Sequence, residues 1–128
     1  MWQNIRNAEL VIKHFGSWIS FHDCEITKIE LQRNDVTLLL QLQAYKLSKD
    51  VDAKGYLKQE HPCLITFRFT GIDRLEIQDF NEQNVLFELT FDKIDEKIQV
   101  TLHPSYGVRG IFLCQNAEVL SLEPVQVK

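Results

Sequence analysis

From Cys24 almost to the end of the chain, apolar residues return at every second position, in short runs separated by turn-forming residues. A period of two belongs to strands, whose side chains alternate between the two faces of a sheet, and it argues against helix wherever it holds. Ile29 and Leu31 alternate with Lys28 and Glu30, and Arg33-Asn34-Asp35 supplies a polar turn. Val36, Leu38, Leu40 and Leu42 then share one face, so the two runs predict an antiparallel hairpin. Leu39 falls on the other face, which implies a strand covered in part on both sides. Further on, Ile65, Phe67 and Phe69 oppose Thr66 and Arg68, and Gly71 permits a bulge or sharp bend before Leu75 and Ile77. The polar DFNEQN turn leads into Val85, Phe87, Leu89 and Phe91. Asp95-Glu96-Lys97 turns the chain into Ile98, Val100 and Leu102. After HPSYGVRG come two last strands, IFLC and EVLSLEPV, with Gln115-Asn116 read as the turn between them.

The period differs at the N-terminus. Trp2, Ile5, Ala8, Ile12 and Phe15 recur every three or four residues, the spacing of one helical face. Asn4 suits the N-cap, Lys13 and His14 suit the last turn, and Gly16 suits the stop, so the helix is expected over about 4–15. His14 is better explained by that helix end than by catalysis. About eight strands in hairpin-length steps imply antiparallel pairing, because parallel neighbours need long crossovers. The expected fold is mainly β (α+β), a curved sheet or roll over about 24–125 with the N-terminal helix packed against it. One domain spanning 1–128 is expected, with neither repeat nor linker. The interval 44–62, AYKLSKDVDAKGYLKQEHP, is polar and lysine-rich and ends at Pro62. It reads as a long excursion, a hairpin extension with an exposed tip or a solvated connection.

Composition narrows the function. Eighteen acidic against fourteen basic residues give a net charge of −4, which argues against a general nucleic-acid binder, since such a protein needs a basic face to displace counterions. The same charge is compatible with a basic protein partner. No run approaches the roughly 20 apolar residues of a membrane helix. The start, MWQNIRNAELV, lacks the apolar run of a secretory signal, so a cytoplasmic location and no membrane partner are expected. Cys24, Cys63 and Cys114 each sit among apolar residues, where free cysteine behaves as a small hydrophobe.

The stretch WISFHDCEI concentrates the reactive side chains. His22 and Cys24, two apart on an extended segment, would share a side and could begin a metal site. The paired spacing of a zinc motif is missing, and Cys63, His61 or His103 would have to complete the set from afar. His22, Asp23 and Cys24 are also the residue types of a thiol triad. Alternation, however, puts Asp23 across from the other two, where it cannot easily orient His22. No Gly-rich phosphate loop is present, and Glu118 and Glu123 do not make a carboxylate pair by spacing alone. Neither a metal nor another cofactor is expected. The alternative to chemistry is a joint: Trp18 and Phe21 hold the crossing from helix to sheet, Asp23 accepts backbone N–H bonds, and His22 bridges polar groups nearby.

The motif FG-x-W-x-x-FHD-x-E, carried by Phe15, Gly16, Trp18, Phe21, His22, Asp23 and Glu25, resembles the opening of the bacterial immunity protein 50 family. The resemblance continues through ITFRFTGIDRLEIQDFNEQNVLFEL, with its Gln83-Asn84 pair, and GVRGIFLCQNAEVLSLEP, and is least in 44–62. It implies a non-enzymatic protein that binds and neutralises a cognate toxin in interbacterial competition. Many such toxins are nucleases with basic active sites, which an acidic partner would meet with favourable steering. A motif shared across a family with differing partners suits a shared fold, so the expected toxin contacts lie elsewhere, at Asp50, Asp52, Tyr56 and Glu60 and at the edge strands. An edge strand could also form a homodimer. Two readings compete with this one: a small hydrolase-like enzyme built on His22, Asp23 and Cys24, and a generic interaction or oligomerisation module.

Overall fold

The structure is a computed structural model and describes residues 2–125. A single 3-10 turn at Trp2–Asn4 precedes β1 (Ile5–Arg6) and α1 (Glu9–Phe15). Eight further strands follow: β2 (Glu25–Gln32), β3 (Thr37–Val51), β4 (Leu57–Thr70), β5 (Asp73–Gln78), β6 (Val85–Ile94), β7 (Lys97–Tyr106), β8 (Arg109–Cys114) and β9 (Asn116–Pro124). They form one open sheet in the order β1-β9-β4-β3-β2-β6-β7-β8-β5, mainly β with one α-helix, as the periodicity predicts. The β2–β3 hairpin forms as expected, with Ile29 opposite Leu40 and Leu31 opposite Leu38.

The sheet works as two halves. β1-β9-β4-β3-β2 and β6-β7-β8-β5 are linked in register only at Glu25 and Val85. On the other side both halves share two bent strands. β4 runs through Gly71 into β5, β9 continues β8 after Gln115 alone, and Gln115 donates its N–H to the Thr70 carbonyl at 2.9 Å. The bend expected at Gly71 is therefore present: its φ is +68°, and a Cβ there would lie 2.8 Å from the Gln115 side chain. Gln115-Asn116, by contrast, is no hairpin turn. β8 pairs with β7 and β5, whereas β9 pairs with β4 and β1. Two strands joined by one residue leave no room to reverse direction, so the chain bends from one half into the other.

The inner faces meet in a phenylalanine core. Phe67 and Phe69 of the first half lie 5.8 and 6.2 Å from Phe91 of the second, and Phe112 lies 5.2 Å from Phe69. These rings, with Leu38, Leu40, Leu42, Ile65, Leu86 and Val100, are buried, each contributing about 1.5–3 kcal/mol. In β6 the alternation slips. Leu86 is buried and Phe87 is exposed, because the register shifts on both sides of Leu86.

The helix is shorter than its spacing predicts. Ile5 and Arg6 pair parallel with Ala117 and Glu118 of β9, so Ile5 is buried as a strand residue. Asn7, at φ +62°, then turns the chain, and Asn4 caps nothing. α1 buries Val11 and Phe15, and Ala8 at its N-cap is buried too, while Ile12 is only half-buried. Gly16 ends it as expected, at φ +86°, with its N–H on the Ile12 carbonyl.

Candidate functional site

The stretch from Trp18 to Ile26 joins the helix to the sheet, and its backbone does most of the joining. Ser20 accepts from the Leu89 N–H, Asp23 donates to the Leu86 carbonyl at 2.8 Å, Leu86 donates back to Cys24, and Ile26 donates to Asn84. Residues 20–26 thus run along the free edge of β6 and hold the two half-sheets together. Trp18 stands against Phe21, Phe67 and Phe91 with ring centres 5.5–6.4 Å apart and stacks on Trp2. The expected role of Trp18 and Phe21 in the crossing agrees with this packing.

The segment is not extended, which changes the arrangement of its side chains. Phe21 and Asp23 have φ of +64° and +63°, and Cys24 donates its N–H to the Phe21 carbonyl, closing a tight turn. A bulky residue at positive φ is a costly conformation, held here by burial of the Phe21 ring. The turn sends Cys24 into the core and leaves His22 and Asp23 outside, their side chains 43% and 46% exposed. His22 and Cys24 therefore do not share a side, contrary to the alternation argument, and His22 and Asp23 are the neighbours.

His22 Nδ1 lies 2.9 Å from the Phe87 carbonyl oxygen. A carbonyl only accepts, so Nδ1 carries the proton in the neutral ring and Nε2 keeps a lone pair. That lone pair faces Asp23 Oδ2 at 3.5 Å, an attraction only when the ring is protonated. The carboxylate of Asp23 takes no backbone N–H; the expected cap is made by the Asp23 main chain instead. Burial pushes the Cys24 thiol up to about 11, with the Asp23 charge adding to the effect and a contact to the Tyr45 carbonyl opposing it. Burial likewise raises Cys63 and Cys114 to about 12. Near neutral pH all three stay protonated, which is unlike an activated nucleophile. All three are free thiols. His103 bonds to Thr90, and His61 lies beside His14, ring centres 5.9 Å apart. Among the described residues no three His, Cys, Asp or Glu side chains converge on a point.

Asp23 and Glu25 open instead onto a groove of about 550 Å³. Its walls are Gln43 and Tyr45 of β3, Gln59, Pro62 and Leu64 of β4, Gln83 and Val85 at the start of β6, and Val125. The Tyr45 hydroxyl donates to the Asp23 carbonyl at 2.7 Å. Its own pKa is pushed up to about 12, first by burial, then by the charges of Cys24, Asp23 and Glu25. The amide of Asn84 props the wall behind Gln83. Asn84 Oδ1 accepts from the Asn81 and Val108 N–H groups at 2.9 and 3.0 Å, and Nδ2 donates to the Asn81 carbonyl. Sequence reasoning missed both Tyr45 and the role of Asn84; the only signal was the Gln83-Asn84 pair.

The polar interval is ordered as a long hairpin arm, β3 to Val51 and β4 from Leu57, beyond the body of the sheet. Its base is tied to the helix end by Lys46 Nζ on the Phe15 carbonyl and by His14 Nε2 on the His61 carbonyl at 2.7 Å. His14, in the last turn of α1, thus directs its ring nitrogen to the arm rather than to a helix carbonyl. Of the four expected contact residues, Asp52 is used by the fold: Oδ1 accepts from the Lys54 and Tyr56 N–H groups and closes the tip. Asp50 and Glu60 are exposed, Glu60 lying 3.9 Å from His61, and Tyr56 is the most exposed large apolar side chain among the described residues, at 70%. Glu118 is not half of a carboxylate pair, because Arg68 of the neighbouring strand holds it.

A solved structure of similar shape is that of an uncharacterized protein from Neisseria gonorrhoeae, 14% identical, covering 82% of this chain and 94% of that chain with a TM-score of 0.49. None of the curated proteins matches the chain. No helix is long and apolar enough to cross a membrane, among the described residues. The family described as Immunity protein 50 matches residues 7–125, the span that runs from the Asn7 turn through both half-sheets to the groove wall at Val125, and the chain belongs to that family.

Proposed function

We propose that the protein binds a cognate bacterial toxin in the cytoplasm and neutralises it without catalysing a reaction, protecting the producing cell and its kin. The observation that carries this reading is the family match over 7–125. The geometry around His22 supports it: one ring nitrogen is taken by a main-chain carbonyl, the other faces a carboxylate, and the nearby thiol is buried and protonated. That arrangement leaves no base free beside a nucleophile, which an enzymatic reading would need. A net charge of −4 favours an acidic protein meeting a basic partner, rather than nucleic acid. The free edges of β1 and β5 are where a homodimer would form.

The test is co-expression with the toxin domain encoded beside the gene. Cells carrying both should grow while cells carrying the toxin alone die, and the two proteins should co-purify. Equal killing with and without the protein would refute the reading for that toxin.

A further inference from the structure

The side chains of Asp23 and Glu25 are not used to build the fold. Asp23 supports the joint through its N–H and carbonyl, while its carboxylate meets only His22. Among the described residues Glu25 makes neither a side-chain hydrogen bond nor an ion pair; its strand pairing with Gln43 and Val85 is by the main chain. Both carboxylates line the 550 Å³ groove, and among the described residues no other charged side chain lines it. The remaining wall offers neutral hydrogen-bonding groups, Gln43, Gln59, Gln83 and Tyr45, over an apolar floor of Leu64, Pro62 and Val85. A groove of this volume is in the range, about 300–1,000 Å³, that accommodates a ligand or several side chains.

The groove does not end at the sheet. Gln59 and Pro62 also border a second concavity along the arm, lined by Asp52, Lys54, Tyr56, Leu57 and Lys58. There Tyr56 and Leu57 are 70% and 47% exposed, large apolar groups that the core does not recruit. Tyrosine exposed on a rigid support is a common centre of binding energy at protein interfaces. Charge changes sign along the path, from two carboxylates at the sheet junction to Lys54 and Lys58 near the tip.

We infer that this continuous surface is where the toxin docks, with a lysine or arginine side chain of the toxin seated between Asp23 and Glu25 and an apolar segment beside it lying against Tyr56 and Leu57. The inference rests on the proposed toxin-binding role and adds its location and chemistry. Charge complementarity selects the occupant: a cation gains two acceptors that the fold leaves unused, whereas an anionic segment would face repulsion at the junction. The motif residues Asp23 and Glu25 then serve twice, their main chain in the joint and their carboxylates in recognition. Of the four contacts expected at the arm, Tyr56 and Asp52 line this surface, Asp52 being occupied by the turn it closes, while Asp50 and Glu60 do not line it.

The test measures the dissociation constant of an inactivated form of the toxin domain encoded beside the gene. The full-length protein is compared with the double variant Asp23→Asn/Glu25→Gln, with Tyr56→Ala, and with Glu96→Gln in the β6–β7 turn as a charge control. The double variant should bind about tenfold or more weakly, with a shallower dependence on salt, and Tyr56→Ala should weaken binding by a similar factor. Glu96→Gln should match the parent protein. All variants should melt within a few degrees of the parent, since among the described residues the altered groups make no side-chain bond beyond the half-exposed His22–Asp23 pair. Tight binding by the double variant, within twofold of the parent, overturns the inference and leaves the proposed function standing. Failure of the parent protein to bind refutes the proposed function, and the inference with it. A dimer of the protein alone that dissociates on Asp23→Asn/Glu25→Gln would also overturn it, assigning the groove to a second copy of the chain.

Discussion

Asn84→Ala should be among the most damaging single truncations of a polar side chain in this protein. Asn84 is 2% exposed and its amide makes three hydrogen bonds, two accepted by Oδ1 and one donated by Nδ2. The bond from the Val108 N–H is fully buried, and removing its acceptor leaves a donor with no water to turn to, a cost of about 1–3 kcal/mol. The two bonds to Asn81 sit nearer solvent and contribute about 0.5–1.5 kcal/mol each. Together the loss is about 2–6 kcal/mol, with roughly 3 as the working value. For a chain of 128 residues, an unfolding entropy near 2.1 cal/mol/K per residue makes each kcal/mol worth about 4 °C in melting temperature. The variant should therefore melt roughly 10 °C below the parent, and its urea midpoint should fall with an unchanged slope.

Two companion variants separate the bonds from the position. Asn84→Asp keeps both acceptors but turns a lone pair toward the Asn81 carbonyl, so it should fall between parent and alanine variant at neutral pH. Asn81→Ala removes a side chain whose one hydrogen bond, among the described residues, is a long, exposed one to the Asp79 carbonyl, and should cost less than about 0.5 kcal/mol. If Asn84→Ala proves as mild as Asn81→Ala, the loop between β5 and β6 is not held by this amide and the reasoning is wrong.

Further outcomes follow from the same geometry. His22→Ala removes one hydrogen bond from a half-exposed ring and should cost under about 1 kcal/mol in chemical denaturation, a loss above 2 being incompatible with the exposed geometry. Gly107→Ala and Gly55→Ala both place a side chain at positive φ, near +85°, but only at Gly107 would the new Cβ meet other atoms, 2.5 Å from the Gln83 carbonyl and 2.6 Å from Asn84 Oδ1. Gly55→Ala should cost about 1–2 kcal/mol and Gly107→Ala clearly more, so equal melting temperatures would contradict the packing. A thiol reagent at pH 8 should label none of Cys24, Cys63 and Cys114 in the native protein and all three in urea. The same thiols are raised from 9.0 to about 11 or 12 by burial. The unfolded chain therefore loses their protons first: the contribution is intact below pH 9 and declines as pH rises from 9 toward about 11 to 12. Alkaline denaturation curves should show that fall, and a flat profile from pH 8 to 11 would count against buried thiols.

Much of the sheet could be read from the chain because a strand's alternation is local. Ile65, Phe67 and Phe69 had to face one way, and they are all fully buried. What could not be read is which strands become neighbours. Gln115 looks like a hairpin turn because it separates two apolar runs, yet β8 and β9 belong to different halves, a fact fixed by Thr70 and Gly71, some 45 positions earlier. The helix failed for a similar reason. Ile5 satisfies helical spacing equally well, but its partner Ala117 lies at the other end of the chain, and pairing with it overrode the local preference.

What alternation got wrong in FHDC, the side on which each side chain lies, has a different cause, and it bears on function. Residue types advertise what side chains can do, and here His, Asp and Cys invite a catalytic or metal-binding interpretation. The structural work is done by groups every residue has: the N–H of Asp23, the carbonyl of Cys24, the N–H of Ile26. Those bonds need a turn with two residues at positive φ, which no rule of alternation anticipates. Once the turn exists, the distribution of side chains follows. One face carries Cys24 into the core, where its proton is locked on, and the other carries the Asp23 carboxylate out to the groove wall, where Glu25 joins it from the first position of β2. Because the main chain holds the joint, neutralising those two carboxylates should leave the fold intact. A stretch of sequence can thus keep its architecture while its outward side chains are free to serve recognition.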